Sequence, residues 1–258
     1  MVIQDLKDIH WRHKMEFRKL KAKEIDCRVA QIDEKWLTLL LYKDARVDMN
    51  ILDETVGCLN WKKSYSRDNA NCTVSIWNDE IKEWVSKEDT GTESFSEAEK
   101  GLASDSFKRA CFNWGIGREL YTAPFILITP RKDVKYRYNG KEVDEIYKKG
   151  TDSKGNDKYD TKTKFWVEYI DYNNEGEIYN LIIRDQKNII RFCQLSPGKE
   201  IELSKLDIAV KKIINKSESM KEKIYDTYKI KDYAELLIEQ KKDIMRIMGT
   251  KEEREQWK

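Results

Sequence analysis

The chain has 258 residues, 40% of them hydrophobic and 37% charged, with a mean hydropathy of −0.79. No apolar run approaches the ~18 residues that a membrane span needs, and charges run through Met1–Lys14, so no signal peptide is visible. Forty-nine Lys and Arg against 47 Asp and Glu leave a net charge of +2, so any polyanion site has to be a local patch and not a property of the whole chain.

Five cysteines, Cys27, Cys58, Cys72, Cys111 and Cys193, are widely spaced and odd in number, and none forms a CxxC pair. Each has apolar neighbours, which predicts buried free thiols in a reducing compartment. The segment up to Glu24 is rich in Lys and Arg, with Leu6, Ile9, Phe17 and Leu20 as apolar points, the pattern of a docking arm or helix. Ile25–Ile32 and Trp36–Tyr42 read as a hairpin around Asp33-Glu34-Lys35. A helix follows, with Ala45, Met49, Leu52 and Val56 on one face and Gly57 as a left-handed stop. Arg46, Asp48, Asp53 and Glu54 fall away from that face.

Leu59–Ser66, Cys72–Asn78 and Ile81–Lys87 form a meander, in which Cys72, Val74 and Ile76 alternate with Thr73, Ser75 and Trp77. After Gly91, Ser94 with Glu97 and Ser96 with Glu99 match the capping box. The helix they open, Glu97–Trp114, presents Ala103, Phe107, Ala110 and Trp114 together and leaves Asp105, Lys108 and Arg109 off that stripe. Thr122–Thr129 holds Pro124 and is followed directly by Pro130, two of the three prolines, and reads as an edge strand or an extended exit.

Residues 131–164 carry eleven basic and seven acidic side chains with little apolar periodicity, and are expected as a long, mobile, basic loop or an insertion. Phe165–Tyr172, Ile178–Ile183 and Ile189–Cys193 make a second meander. Beyond Pro197-Gly198 the spacing is helical to Met248, with Leu203, Leu206, Val210 and Ile213 as one stripe.

Two of these stretches resemble a known family. Arg46, Leu52-Asp53-Glu54, Gly57 and Asn60-Trp61 are similar to the signature helix of Rad-fifty-two-type single-strand annealing proteins, in the phage (Sak-like) branch. Ser104-Asp105, Lys108-Arg109-Ala110 and the glycines that follow are similar to the second helix of that family. The two motifs stand in the family's order with a β-meander between them, and the resemblance covers roughly residues 25–195, the span over which the expected elements recur. It implies a homo-oligomeric ring or filament that binds single-stranded DNA in a basic groove and pairs complementary strands without ATP. It also implies that Arg46, Lys108 and Arg109 contact the DNA backbone. Where the eukaryotic branch has a further basic residue, this chain has Phe112, and Arg118 is expected to stand in.

Cations on phosphates give affinity without sequence information and leave base edges free to pair. The same charges are also spaced for ordinary surface ion pairs, Asp105 with Lys108 at i+3 and with Arg109 at i+4. Two further basic–aromatic runs are candidates for strand contact: Lys62 and Lys63 between Trp61 and Tyr65, and Lys135 and Arg137 among Tyr136 and Tyr138. Trp61 and Tyr65 are equally suited to packing on the sheet. Gly115-Ile116-Gly117 lacks the Lys-Ser/Thr of a phosphate loop and lies at a helix C-terminus, so a glycine cap fits it better. His10 and His13 have no third ligand at metal spacing, and no nucleophile–base constellation, nucleotide motif or cofactor motif stands out.

These readings combine into an α+β protein, a twisted antiparallel sheet packed on a central helix. An annealing core at 1–199 contains the basic loop 131–164, and a helical C-terminal region occupies 200–258. The expected function is ATP-independent annealing in phage or prophage recombination, in the cytoplasm of a bacterial host, with no bond made or broken and no cofactor. The expected partners are single-stranded DNA, further copies of the chain and, for the C-terminal helices, a host single-strand-binding protein, with no membrane. The alternatives are a passive single-strand-binding module and a replication-associated nuclease.

Overall fold

A computed structural model describes residues 15–92 and 98–251. Helices and antiparallel sheets both form large parts of it, an α+β fold as the alternating segments predict. Among the described residues no helix is long and apolar enough to cross a membrane. The chain packs as two compact units. One comprises Lys43–Tyr121 with the segment ending at Leu20, and the other comprises Lys21–Tyr42 with the segment that begins at Thr122.

The first unit opens with α1 (Ala45–Val56), capped by the Asp44 carboxylate, which accepts from the Arg46 backbone N–H at 2.8 Å. Gly57 ends it at φ +84° and ψ 146°, a positive-φ region beyond the left-handed helical well that glycine alone enters readily. The buried face is Ile51 and Leu52 together with Asp48, which the apolar stripe had placed outside. β3 (Trp61–Ser66), β4 (Asn71–Asn78) and β5 (Glu83–Thr90) follow as a three-stranded meander. Trp61 lies opposite Ile76 and Trp77 opposite Trp84.

The period-2 alternation holds. Cys72, Val74 and Ile76 are buried against α2 (Ala98–Trp114), whose Phe107, Ala110 and Cys111 are buried in turn. Trp114 donates its indole N–H to the Val74 carbonyl at 3.1 Å. Gly91 lets the end of β5 pass the helix, since a Cβ there would stand 2.5 Å from the Ser106 backbone N. Ser94, Ser96 and Glu97 of the expected capping boxes lie outside the described residues, as do Leu6, Ile9, His10 and His13. Of the N-terminal segment, Phe17 and Leu20 are buried, and the Leu20 N–H donates to Glu119 Oε1 at 2.7 Å.

The second unit is built on a six-stranded antiparallel sheet of β1 (Asp26–Ile32), β2 (Leu37–Tyr42), β6 (Ile126–Ile128), β11 (Phe165–Tyr172), β12 (Ile178–Asp185) and β13 (Ile190–Gln194). Its order is β13-β12-β11-β1-β2-β6, so the proline-flanked β6 is an outermost strand as expected. The sheet curls until β13 and β6 lie against each other, and Arg191 donates to the Thr129 carbonyl at 2.8 Å. Leu37, Leu39, Leu41, Ile126, Ile128, Val167, Leu181 and Ile183 are buried within it.

Residues 131–164 correct an expectation. They form no long loop but two hairpins, β7 (Lys135–Tyr138) with β8 (Lys141–Asp144) and β9 (Ile146–Thr151) with β10 (Asp157–Thr161). Their backbones pair in register, and cross-strand ion pairs accompany the ladders where apolar periodicity is missing: Lys135 with Asp144, Lys148 with Asp157 at 2.6 Å and Lys149 with Asp160 at 2.7 Å. Glu145, buried and bonded to Arg191 and Thr163, anchors them to the sheet.

The C-terminal helices α3 (Pro197–Ile214), α4 (Glu218–Tyr228) and α5 (Ile238–Met248) share one apolar core with Ile182 of β12. The expected boundary at 199/200 falls inside α3. Arg184 of β12, 1% exposed, bonds Glu168 at 2.5 Å and donates to the Ala234 and Leu236 carbonyls at 2.8 and 3.1 Å. Of the five thiols, which are all free, Cys72 and Cys111 are buried, whereas Cys58 and Cys193 are exposed; apolar neighbours in sequence did not ensure burial at the ends of elements.

Candidate nucleic-acid interface

Six of the eight candidate cations lie in the first unit, four of them on or just beyond the two motif helices. Arg46 sits in the first turn of α1, 83% exposed, and forks onto the Asp44 carboxylate at 2.9 and 3.1 Å. That bond, and secondarily the charge of nearby Lys108, holds the Asp44 carboxyl down at about 2. The charge of Lys108, on α2, thus acts on Asp44 from a helix that packs against α1. Lys108 forms no ion pair of its own among the described residues.

α1 also carries a buried charge that the sequence did not reveal. Asp48 is fully buried and bonded to Lys43, while its other carboxylate oxygen has no hydrogen-bond partner. Burial pushes its pKa up to about 6 against the opposing pull of Lys43 and Lys108. Gly117 makes room for Lys43, because a Cβ at its φ of +78° would stand 2.2 Å from the lysine Cε. The second glycine of Gly115-Ile116-Gly117 thus serves a buried lysine stem.

Arg109 turns the other way. Its Nε lies 3.3 Å from Asp89 of β5, and Asp105 accepts from the Thr92 N–H at 2.9 Å, so the helix-surface pairing of Asp105 with Lys108 and Arg109 is not formed. The Asp89 contact is half exposed and worth little, about 0–1 kcal/mol. Arg118 is spent differently. It donates to the Phe112 and Asn113 carbonyls at 2.8 and 2.9 Å, and its guanidinium lies 5.5 Å from the Phe112 ring, so it caps the C-terminal end of α2.

Lys62 and Lys63 are adjacent in β3 and so project from opposite faces of the sheet. Lys63 lies 4.4 Å over Phe107 on the helix side, and Lys62 lies 4.2 Å over Trp84 on the other. Trp61 stacks on Phe107 at 6.2 Å and donates to Asp53, so its ring is committed to packing. Lys135 and Arg137 belong to the second unit. Lys135 is paired with Asp144, Arg137 stands opposite Glu142, and Tyr136 and Tyr138 turn inward, onto Thr163 and the Tyr147 ring respectively.

Among the described residues no three His, Cys, Asp or Glu side chains converge as a metal ion would require. Arg46 and Lys108 thus stand on two helices that pack against each other, Arg46 paired with Asp44, while Arg109 is directed to β5. Neither a protein-family model nor a curated protein matches this chain.

Proposed function

We propose that the chain binds single-stranded DNA through Arg46, Lys108 and Arg109 and speeds the pairing of complementary strands without ATP, as a homo-oligomer, in phage or prophage recombination within a bacterial cytoplasm. The observation that carries this reading is the packing of the two motif helices against each other, with Arg46 bound to Asp44 on one and the charge of Lys108 acting on the same carboxylate from the other. Both cations are long side chains within reach of solvent, suited to phosphate contacts that neither select sequence nor occupy base edges. Arg118 has no part in this reading, because its donors already serve the end of α2.

The test is a pairing assay with complementary oligonucleotides lacking ATP, run beside binding measurements over a salt series. The native chain should accelerate pairing and leave the strands intact. Lys108→Ala with Arg109→Ala should weaken binding to all sequences alike and flatten the salt slope by roughly 0.7 log unit for each phosphate no longer neutralised. Coating without faster pairing would make the chain a passive binder, shortened strands would make it a nuclease, and an unchanged slope would remove the two cations from the site.

A further inference from the structure

The face of the β3–β4–β5 sheet turned away from α2 is open. The register puts Lys62, Ser64, Thr73, Ser75, Trp77, Trp84, Ser86 and Glu88 on it, since Cys72, Val74, Ile76 and Lys87 face the helix. Hydroxyls predominate, yet at one end two tryptophans stand directly opposite each other. Trp77 and Trp84 meet at 5.6 Å and 65°, and Trp84 is 38% exposed. Nothing in the packing of the core requires them there, because the apolar layer lies on the other face.

Their surroundings leave the rings available while satisfying the polar groups. The Trp77 N–H donates to Asp79 at 3.0 Å, and Glu88 accepts from Thr73 and Asn71 at 2.7 and 2.9 Å. Lys62 covers Trp84 at 4.2 Å and has no ion pair among the described residues. One cation without a counter-ion, set on an exposed indole, gives an anionic ligand that also carries flat rings both of its contacts. Single-stranded nucleic acid has that chemistry, and an open sheet with aromatics on its strands and a helix behind it is suited to unstacked bases.

We propose that this face is a base-stacking platform for single-stranded DNA. Trp84 and Trp77 supply the stacking surface, and Lys62 moves off the Trp84 ring onto a phosphate when a base replaces it. The proposal rests on the DNA-binding reading for its ligand but uses the side of the sheet opposite Lys108 and Arg109, so the two can fail separately.

The experiment titrates labelled oligothymidine into the full chain and into Trp84→Leu, Trp84→Phe and Lys62→Ala, across a salt series, with melting and particle size recorded for each. Losing one stacked base should weaken binding roughly fivefold to a hundredfold in Trp84→Leu, with the salt slope unchanged. Trp84→Phe keeps a ring and should recover most of the affinity, which a merely structural tryptophan would not reproduce at unchanged melting. Lys62→Ala should lower the slope by roughly 0.7 log unit. Equal affinity of Trp84→Leu and the native chain overturns the platform alone, leaving the helix cations in place. A change of particle size without a change in affinity also overturns it, by making the face an interface between copies. Failure of the native chain to bind any oligonucleotide removes both readings. Should Trp84→Leu fail to fold, Trp84→Phe and Lys62→Ala still decide: native affinity and slope in Lys62→Ala, with unquenched tryptophan emission on binding, refutes the proposal.

Discussion

Asp48→Asn should make the protein more stable at neutral pH, although it removes one half of an ion pair. Asp48 is fully buried, shares one oxygen with Lys43 and leaves the other unpartnered, while Lys108 from α2 and the Cys111 thiol are its other neighbours of consequence. Its carboxyl is raised from 3.8 to about 6, with desolvation outweighing both lysines. Between those values the folded chain retains a proton that the unfolded chain has lost, so stability falls as pH rises through the window. At about 1.4 kcal/mol per pH unit the fall amounts to about 3 kcal/mol, complete once the pH exceeds the folded value. Asparagine resembles the protonated acid in size and polarity and has nothing to titrate. The two chains should therefore match near pH 4 and diverge until the variant is ahead by about 3 kcal/mol at pH 7. Urea unfolding of both proteins at several pH values from 4 to 7 measures this, and every other carboxylate cancels in the difference. A variant less stable than the native chain at pH 7, or a difference that does not change with pH, would show that Lys43 and Lys108 fully compensate the buried charge.

Other perturbations test the packing. Gly91→Ala places a methyl against the Ser106 and Leu102 backbone and should cost about 1–3 kcal/mol. Gly198→Ala, in the first turn of α3 with nothing near its Cβ, should instead stabilise by about 0.4–1 kcal/mol; thermal melts separate the two. Glu168→Ala strands the buried Arg184 guanidinium and should cost about 3–5 kcal/mol, with a smaller loss when Arg184→Met accompanies Glu168→Leu. Removing residues 200–258 takes the Ala234 and Leu236 carbonyls from Arg184 and uncovers Ile182, so the truncated chain should lose its cooperative melt and aggregate; a soluble, sharply melting product would refute that dependence.

The elements were legible wherever apolar spacing repeats. The hairpin of β1 and β2, the alternation of Cys72, Val74 and Ile76, and the Leu206–Val210–Ile213 stripe all follow from periods of 2 or 3.6 that need no partner to be recognised. Even Trp77 falls with Thr73 and Ser75 on the polar face by alternation alone; Trp84 opposite it is supplied only by strand pairing. Hairpins β7–β8 and β9–β10 are invisible to periodicity because charged residues face each other across their strands, and a Lys opposite an Asp leaves no hydrophobic signature.

Composition and local pattern therefore determined the α+β class, the order of helices and strands, and which cations lie off the apolar faces. Where each cation's charge goes was settled only by tertiary packing. Arg118 turns to the end of α2, Arg109 to β5, Lys62 to Trp84, and Lys43 past Gly117 to the buried Asp48. A side chain's periodicity fixes the direction in which it leaves the backbone, but its electrostatics depend on groups that approach from other elements, and those are set by the fold.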